Sequence, residues 1–442
     1  MKIIKLLFII WFAWVIIPLH SQNWLPLDKG IALADIHHIF PDSNCIYVSG
    51  NFTEDGNNIP MRGIAKWDGT KWDSVGDANK FNATKLGIYK YHDTLLTSGI
   101  FYDWPYSSFA KLNEGLWEPF PNSRSLDVTC FLEKDNVLYL GGYFNKCGND
   151  STYLLGKYNG TVFTGMTPLY SAYSPGDVVS CMASFHDTLY VGGLFYLYPQ
   201  LPIAGFAKWD GFNLLSVSPE FLNSACAVES MVVYQNELYI GGLFWKSNGF
   251  TGDCIMKWNG LQFSEVGNTG GANQDITSMK VYNNELYVAG RFTEIGGIVS
   301  KNIAKWNGYQ WISLNNDDFD NFNSIKDICI YRNELYVAGT FRKIGNDSIN
   351  SIAKYNHSLV SVCENNSINN SIKIYPNPTT NTLNIDGLTA NTLSEIYDIS
   401  GKLILTRKLI SPKMDITGLA KGMYFIKLST KEGSVVRKFV KE

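Results

Sequence analysis

The chain has little net charge: 37 Lys and Arg against 40 Asp and Glu leave a formal −3 over 442 residues. Bulk electrostatics of that kind gives nucleic acid no footing. Histidine is scarce, six in all. Nothing reads as GxSxG, HExxH or a Walker loop, so the nucleophile-elbow, zincin and P-loop chemistries have no signature here. CxxC pairs are absent, and the eight cysteines are too scattered to form a zinc framework or a dense disulfide module. Long amphipathic helical patterns are missing too, which points away from a helical fold. Past the first 21 residues, no segment is apolar enough to cross a membrane.

Those first residues are a leader. Lys2 and Lys5 form a basic start, Leu6 to Ile17 an apolar segment, and Leu19-His20-Ser21 an exit, so residues 1–21 read as a secretory signal peptide cleaved between Ser21 and Gln22. No transmembrane segment is expected after cleavage.

What is abundant is repetition. Leu286 to Phe292 (LYVAGRF) is one of seven copies whose register glycines are Gly50, Gly99, Gly142, Gly193, Gly242, Gly290 and Gly339, each followed two residues later by phenylalanine. The spacing, about 49 residues, is that of a propeller blade. Within one copy, Ile276 to Val281, Glu285 to Phe292, Asn302 to Trp306 and Tyr309 to Leu314 read as four strands, the first two joined by a short polar turn. Both faces of the glycine-bearing strand are apolar, as in a blade packed between two neighbours. Residues 22–363 are therefore expected to form a seven-bladed β-propeller. Asn23 to Asp28 resembles the last strand of a unit, so it is expected to complete the blade built on Gly339. Leu359 to Cys363 is the alternative closing strand.

Repeat equivalence removes several tempting sites. His92 and His186 fall in the hairpin turn that Asn283-Asn284 fills elsewhere. A lysine recurs in every unit (Lys66, Lys111, Lys157, Lys208, Lys257, Lys305, Lys354), which fits a role in the blade itself better than a dedicated anion site. A site should break the symmetry. Of the remaining histidines, His37 and His38 are adjacent on one strand and face opposite ways. No catalytic residue, metal or cofactor is expected. The segment after the Gly-x-Phe anchor does break the symmetry: Trp104 and Tyr106, Tyr196 and Tyr198, and Trp245 place aromatics where other units carry polar turns. These are the candidate ligand-binding residues, because exposed rings stack on sugars or anchor peptides. The alternative is that each ring caps its own sheet.

After Cys363 the repeat stops. Residues 364–371 form a polar linker, and 372–442 show short strands at close intervals, suiting a small β-sandwich. In this tail, Tyr375-Pro376-Asn377-Pro378, Ile396 to Lys402 with Asp398 and Gly401, Ile416 to Leu419 with Gly418, and Gly422-Met423-Tyr424-Phe425 occur in order. They resemble the type A C-terminal sorting domain of the type IX secretion system. That resemblance implies an immunoglobulin-like sandwich, a Bacteroidota source, and export across the outer membrane. It also implies partnership with the type IX machinery and a sortase-like peptidase, and a body released or held at the cell surface. More loosely, the pairs Gly141-Gly142, Gly192-Gly193 and Gly241-Gly242 resemble those of kelch and galactose-oxidase-like propellers.

The functional expectation is an exported propeller that binds a glycan or protein ligand and is not an enzyme. The competing class is an extracellular enzyme acting on polysaccharide or peptide, which would need an acid–base cluster breaking the repeat symmetry at the centre of the ring.

Overall fold

A computed structural model describes residues 24–32, 34–77, 87–99, 108–120, 123, 126–167, 176–196, 203–217, 226–246, 250–267, 270–314, 319–320, 325–356, 372–387, 392–398, 403–409, 411–430 and 433–442. The leader with Ser21 and Gln22, and the linker 364–371, lie outside the described residues, as do His357 and residues 359–363.

Seven four-stranded antiparallel sheets follow one another along the first part of the chain. The sixth is typical, with strands Ile276–Tyr282, Glu285–Gly290, Ile303–Trp306 and Trp311–Ser313 in that spatial order. All six residues of Glu285–Gly290 are buried, the condition its two apolar faces require. The hairpin turns have paired residues at positive φ, such as Asn283 (50°) with Asn284 (58°) and His186 (46°) with Asp187 (58°). That is the twist-matched two-residue turn, and it is the place His92 and His186 occupy.

The register glycine has a steric cause. In six of the seven sheets the first strand bulges by one residue opposite it, the unpaired residue being His37, Thr129, Ser180, Glu229, Thr277 or Lys326. A bulge draws the two backbones together. A Cβ on Gly142, Gly193 or Gly242 would sit 2.0 Å from the carbonyl oxygen of Asp127, Val178 or Ala227. Only glycine fits there. The preceding glycine of each pair is confined by the next sheet instead: a Cβ on Gly141 would lie 2.5 Å from Val179 and 2.8 Å from the Cys130 sulfur.

Each pair of successive sheets shares a buried apolar cluster. Ile88 and Trp117 of the second sheet pack against Ile64 and Val75 of the first, and Ile276 and Val288 of the sixth against Tyr234 and Tyr239 of the fifth. The seventh sheet (Ile325–Tyr331, Glu334–Gly339, Ile352–Tyr355) packs back on the first through Cys329, Tyr336 and Ala338 against Ile36, Ile39 and Val48. Its fourth strand is Trp24–Pro26, with Trp24 opposite Tyr355 and Pro26 opposite Ala353. That is the pairing expected of Asn23 to Asp28. Trp24 is 1% exposed and meets Tyr355 edge-on at 5.0 Å.

The tail forms two further antiparallel sheets. Lys373–Tyr375, Thr382–Asp386 and Lys413–Asp415 make one; Thr392–Asp398, Leu403–Leu409, Gly422–Thr430 and Gly433–Lys441 make the other. Leu383, Ile385 and Met414 of the first meet Ile396, Ile426 and Phe439 of the second in one core. The described residues are all-β, and among them no helix is long and apolar enough to cross a membrane.

Candidate functional site

The first strands of all seven sheets converge on one cavity of about 550 Å³. Six bulged side chains, His37, Thr129, Ser180, Glu229, Thr277 and Lys326, line it, with threonine alone occurring twice. The bulge creates this lining: the unpaired residue has no partner across the ladder and turns its side chain toward the cavity.

Much of the polar lining is engaged in holding sheets together. Thr129 Oγ1 donates to the Val179 carbonyl and Thr277 Oγ1 to that of Ile325, each in the next sheet. Ser230 Oγ accepts from the Met279 amide at 3.0 Å, and Ser278 Oγ donates to Asp327 Oδ1 at 2.7 Å. His38 lies beside Asp327, and burial lowers its pKa while the Asp327 charge opposes that shift. Cys130 and Cys181 sit one residue past their bulges, and burial pushes the Cys130 thiol up to about 12. The seven described cysteines are free.

Glu229 is different. Burial, and then the charge of Asp275, pushes its pKa up to about 7, with Arg291 and Lys326 pulling the other way. Asp275 itself accepts from Arg291 Nε at 2.6 Å. No group of three or more His, Cys, Asp or Glu that could hold a metal ion occurs among the described residues.

The aromatic candidates separate. Trp104, Tyr106 and Tyr198 lie outside the described residues. Tyr196 ends the second strand of the fourth sheet, paired with Ala204, and is 40% exposed. Trp245 is half-buried and packs onto the core between the fifth and sixth sheets, while Phe250 is buried against Phe244 at 5.3 Å. The structure therefore does not bring the described candidates into one exposed patch. In the fourth sheet, strand direction puts Tyr196 and the bulged Ser180 at the same end of the first strand, since Val178, two residues before Ser180, pairs with Leu194.

Three of the repeated lysines form ion pairs at the opposite, hairpin end. Lys257, Lys305 and Lys354 pair with Glu237, Glu285 and Glu334 at 2.6, 2.9 and 3.0 Å. A cavity of about 760 Å³ lies there between the Lys305–Glu285 and Lys354–Glu334 pairs and tail residues Tyr397, Leu403 and Lys427. Lys408 of the tail stands 5.9 Å from the centre of the Tyr309 ring.

In the tail, the motif residues join the first strand to the last. Tyr375 donates to Asp386 Oδ2 at 2.9 Å; the bonds before Pro376 and Pro378 are both cis. Asn377 holds the final strand from both sides of its amide, donating to the Lys438 carbonyl at 3.0 Å and accepting from the Val440 amide at 2.9 Å. Gly422 pairs with Lys441, Asp398 pairs with Tyr424, and Tyr424 stacks on Phe439 at 5.6 Å. Gly418 lies in the exposed turn after Asp415, whose carboxylate accepts from the Thr417 amide. Gly401 lies outside the described residues.

Residues 373–442 match the model of the secretion system C-terminal sorting domain family. This tail is the sorting domain of type IX secretion, and the protein is one exported to the cell surface or the extracellular space. No curated protein matches the sequence. Among solved structures, the chain is similar to the extracellular domain of a protein described as a hybrid two component system of B. thetaiotaomicron. The identity is 12%, 94% of this chain and 46% of that one are covered, and the TM-score is 0.51. A related extracellular domain, described as a one component system of the same organism, gives 13% identity, 92% and 52% coverage, and a TM-score of 0.51. The PorZ surface component of the type IX secretion system of Porphyromonas gingivalis aligns at 14% identity over 92% of this chain and 66% of that one, with a TM-score of 0.36. At such identities the first two speak for the fold alone. The chain spans about half the length of those two structures.

Proposed function

We propose that the seven sheets are the blades of one seven-bladed β-propeller, closed by Trp24–Pro26, and that this body is an extracellular binding protein and not an enzyme. Its cargo signal is the immunoglobulin-like sandwich of the tail, whose partners are the type IX machinery and a sortase-like peptidase. Three features support the ring: the four-strand repeat, the shared core between each pair of successive sheets, and the packing of the seventh sheet on the first. The glycine pairs support placing the repeats near the kelch-like propellers.

One observation carries the binding reading. The scaffold is repeated almost unchanged, while the bulged position facing the axis differs in nearly every sheet: His37, Thr129, Ser180, Glu229, Thr277, Lys326. A ring that keeps its frame and varies its lining is built to recognise something. A glycan or protein ligand reaching the same end would meet Tyr196.

A glycoside-cleaving enzyme of the usual kind needs two carboxyl groups free to act on one substrate. Of the carboxylates lining the cavity, Asp327 already accepts from the Ile39 and Ile328 amides and the Ser278 hydroxyl, which leaves Glu229. Binding of the purified exported chain to a glycan array and to isolated cell envelopes tests the proposal. Saturable binding, weakened by Tyr196→Ala at unchanged unfolding midpoint, is the expected result. Turnover of a polysaccharide or peptide that disappears in Glu229→Gln would replace it with the enzyme reading.

A further inference from the structure

Three charged side chains lining the axial cavity, Glu229, Lys280 and Lys326, are not used by the frame, and two of them stand at bulged positions. Glu229 and Lys326 each make no hydrogen bond and no ion pair among the described residues. They occupy the same bulged position in the fifth and seventh sheets, with Thr277 of the sixth between them. Their opposite charges interact across that gap without closing into a salt bridge.

A half-buried carboxylate without a donor is costly. The frame offers Glu229 none: the nearest cation in the repeat, Arg291, is committed to Asp275. Two residues past the bulges of their strands, Met182, Met231 and Met279 also line the cavity. Methionine walls adapt to apolar groups of varied shape. The cavity, at about 550 Å³, is of the size that takes a small molecule.

We propose that the axial cavity binds a small zwitterion with an apolar side chain, an amino acid or short unblocked peptide. Its ammonium group lies on Glu229, its carboxylate on Lys326 and its side chain against the three methionines. Thr277, whose hydroxyl hydrogen is committed to Ile325, retains a lone pair for the ligand ammonium. This inference rests on the closed-ring reading, because only a ring brings the fifth and seventh sheets to one cavity.

The test is calorimetry on the full chain with leucine and dileucine, with N-acetyl-leucine and leucinamide as probes lacking one charge, and with glucose as a neutral control. Leucine or dileucine should bind, and each singly blocked form should bind at least roughly tenfold more weakly, since a buried charge loses its partner. Glu229→Gln should abolish the preference for a free ammonium group and leave N-acetyl-leucine unaffected; Lys326→Met should do the reverse with leucinamide. Equal affinity for blocked and unblocked forms, or tight glucose binding alone, overturns the proposal.

A second measurement separates its failure from that of the ring. The Glu229 side-chain carboxyl, followed by carbon NMR in the ligand-free chain, should titrate near 7, facing Asp275, Arg291 and Lys326. Titration in the ordinary glutamate range would mean that this carboxyl stands in open water, and would overturn the enclosed cavity and the proposal with it while leaving the ring untouched. Titration near 7 with no zwitterion bound would overturn the ligand alone.

Discussion

The carboxylate of Asp327 accepts the amide hydrogen of Ile39 at 3.2 Å, although 288 residues separate the two in the chain. Its other oxygen accepts from the Ser278 hydroxyl at 2.7 Å, so one side chain of the seventh sheet bonds both the sixth and the first. In the neighbouring steps of the series a serine serves: Ser230 takes the Met279 amide and Ser278 that of Ile328. An aspartate stands where the first and last repeats meet.

Replacing Asp327 with alanine strands those donors at once. The expected loss is about 1–3 kcal/mol of unfolding free energy, the cost of leaving such groups unpaired. Urea unfolding of Asp327→Ala beside Ser230→Ala measures it; the aspartate variant should be the weaker of the two. Equal stability would mean that the junction of the seventh and first sheets does not depend on this bond.

The register glycines make a sharper steric prediction. Gly242→Ala places a Cβ 2.0 Å from the Ala227 carbonyl oxygen, a distance no side chain tolerates, so the strand must shift. Overpacking of that kind costs about 1–3 kcal/mol. Gly418→Ala in the tail meets nothing within 4 Å and should be neutral within about 0.5 kcal/mol. Thermal melts of the two variants decide the matter.

The aromatic segments should part company under mutation. Trp245→Ala opens the core between the fifth and sixth sheets and should cost a few kcal/mol, below the roughly 3–5 of a fully buried tryptophan. Tyr196→Ala should change stability little and ligand binding more. If both variants melt like the parent, Trp245 is not the cap its packing indicates.

Stability should also depend on pH through Glu229. Its folded pKa is raised to about 7, so between the unfolded value of 4.5 and about 7 the folded state holds more protons than the unfolded one. Stability therefore falls as pH rises through that window and levels off above it. Glu229→Gln should flatten this part of the profile, as read by unfolding at pH 5, 6, 7 and 8. An unchanged slope would mean that another group dominates.

Export offers the plainest experiment. Deleting residues 372–442 removes the sorting domain, which among the described residues shares no strand pairing with the repeats. The truncated chain should accumulate folded in the periplasm, as fractionation and protease protection would reveal. Normal display or release would show that the body carries its own signal.

The frame was legible in the sequence because its steric demands recur. A glycine appears wherever a bulge presses on the second strand, and a two-residue polar turn wherever the hairpin twists, so seven copies reinforce one reading. Trp24 was legible for a related reason: it stands where Trp311 stands in the sixth sheet. The cavity lining was not, since a position that changes in every repeat looks like noise. Aligning the residues just before Cys130, Cys181, Ser230 and Ser278 would have exposed Thr129, Ser180, Glu229 and Thr277 as one column. The bulge that turns this column toward the axis leaves no composition of its own. Trp245 misled for the opposite reason, because a symmetry-breaking ring can fill a core as readily as a surface.

The seventh sheet borrows its outermost strand from the beginning of the chain. Trp24–Pro26 emerges ahead of all seven repeats and then waits some 330 residues for Ile352–Tyr355, the strand it pairs with. Until that moment the chain carries an unpaired strand at one end and an open sheet edge at the other, both able to recruit a neighbouring copy. Completion of the seventh sheet is thus a matter of timing as much as of affinity. A carrier that keeps the polypeptide extended until its last repeat has arrived would shield both ends, and one that releases it early would invite exchange of strands between molecules.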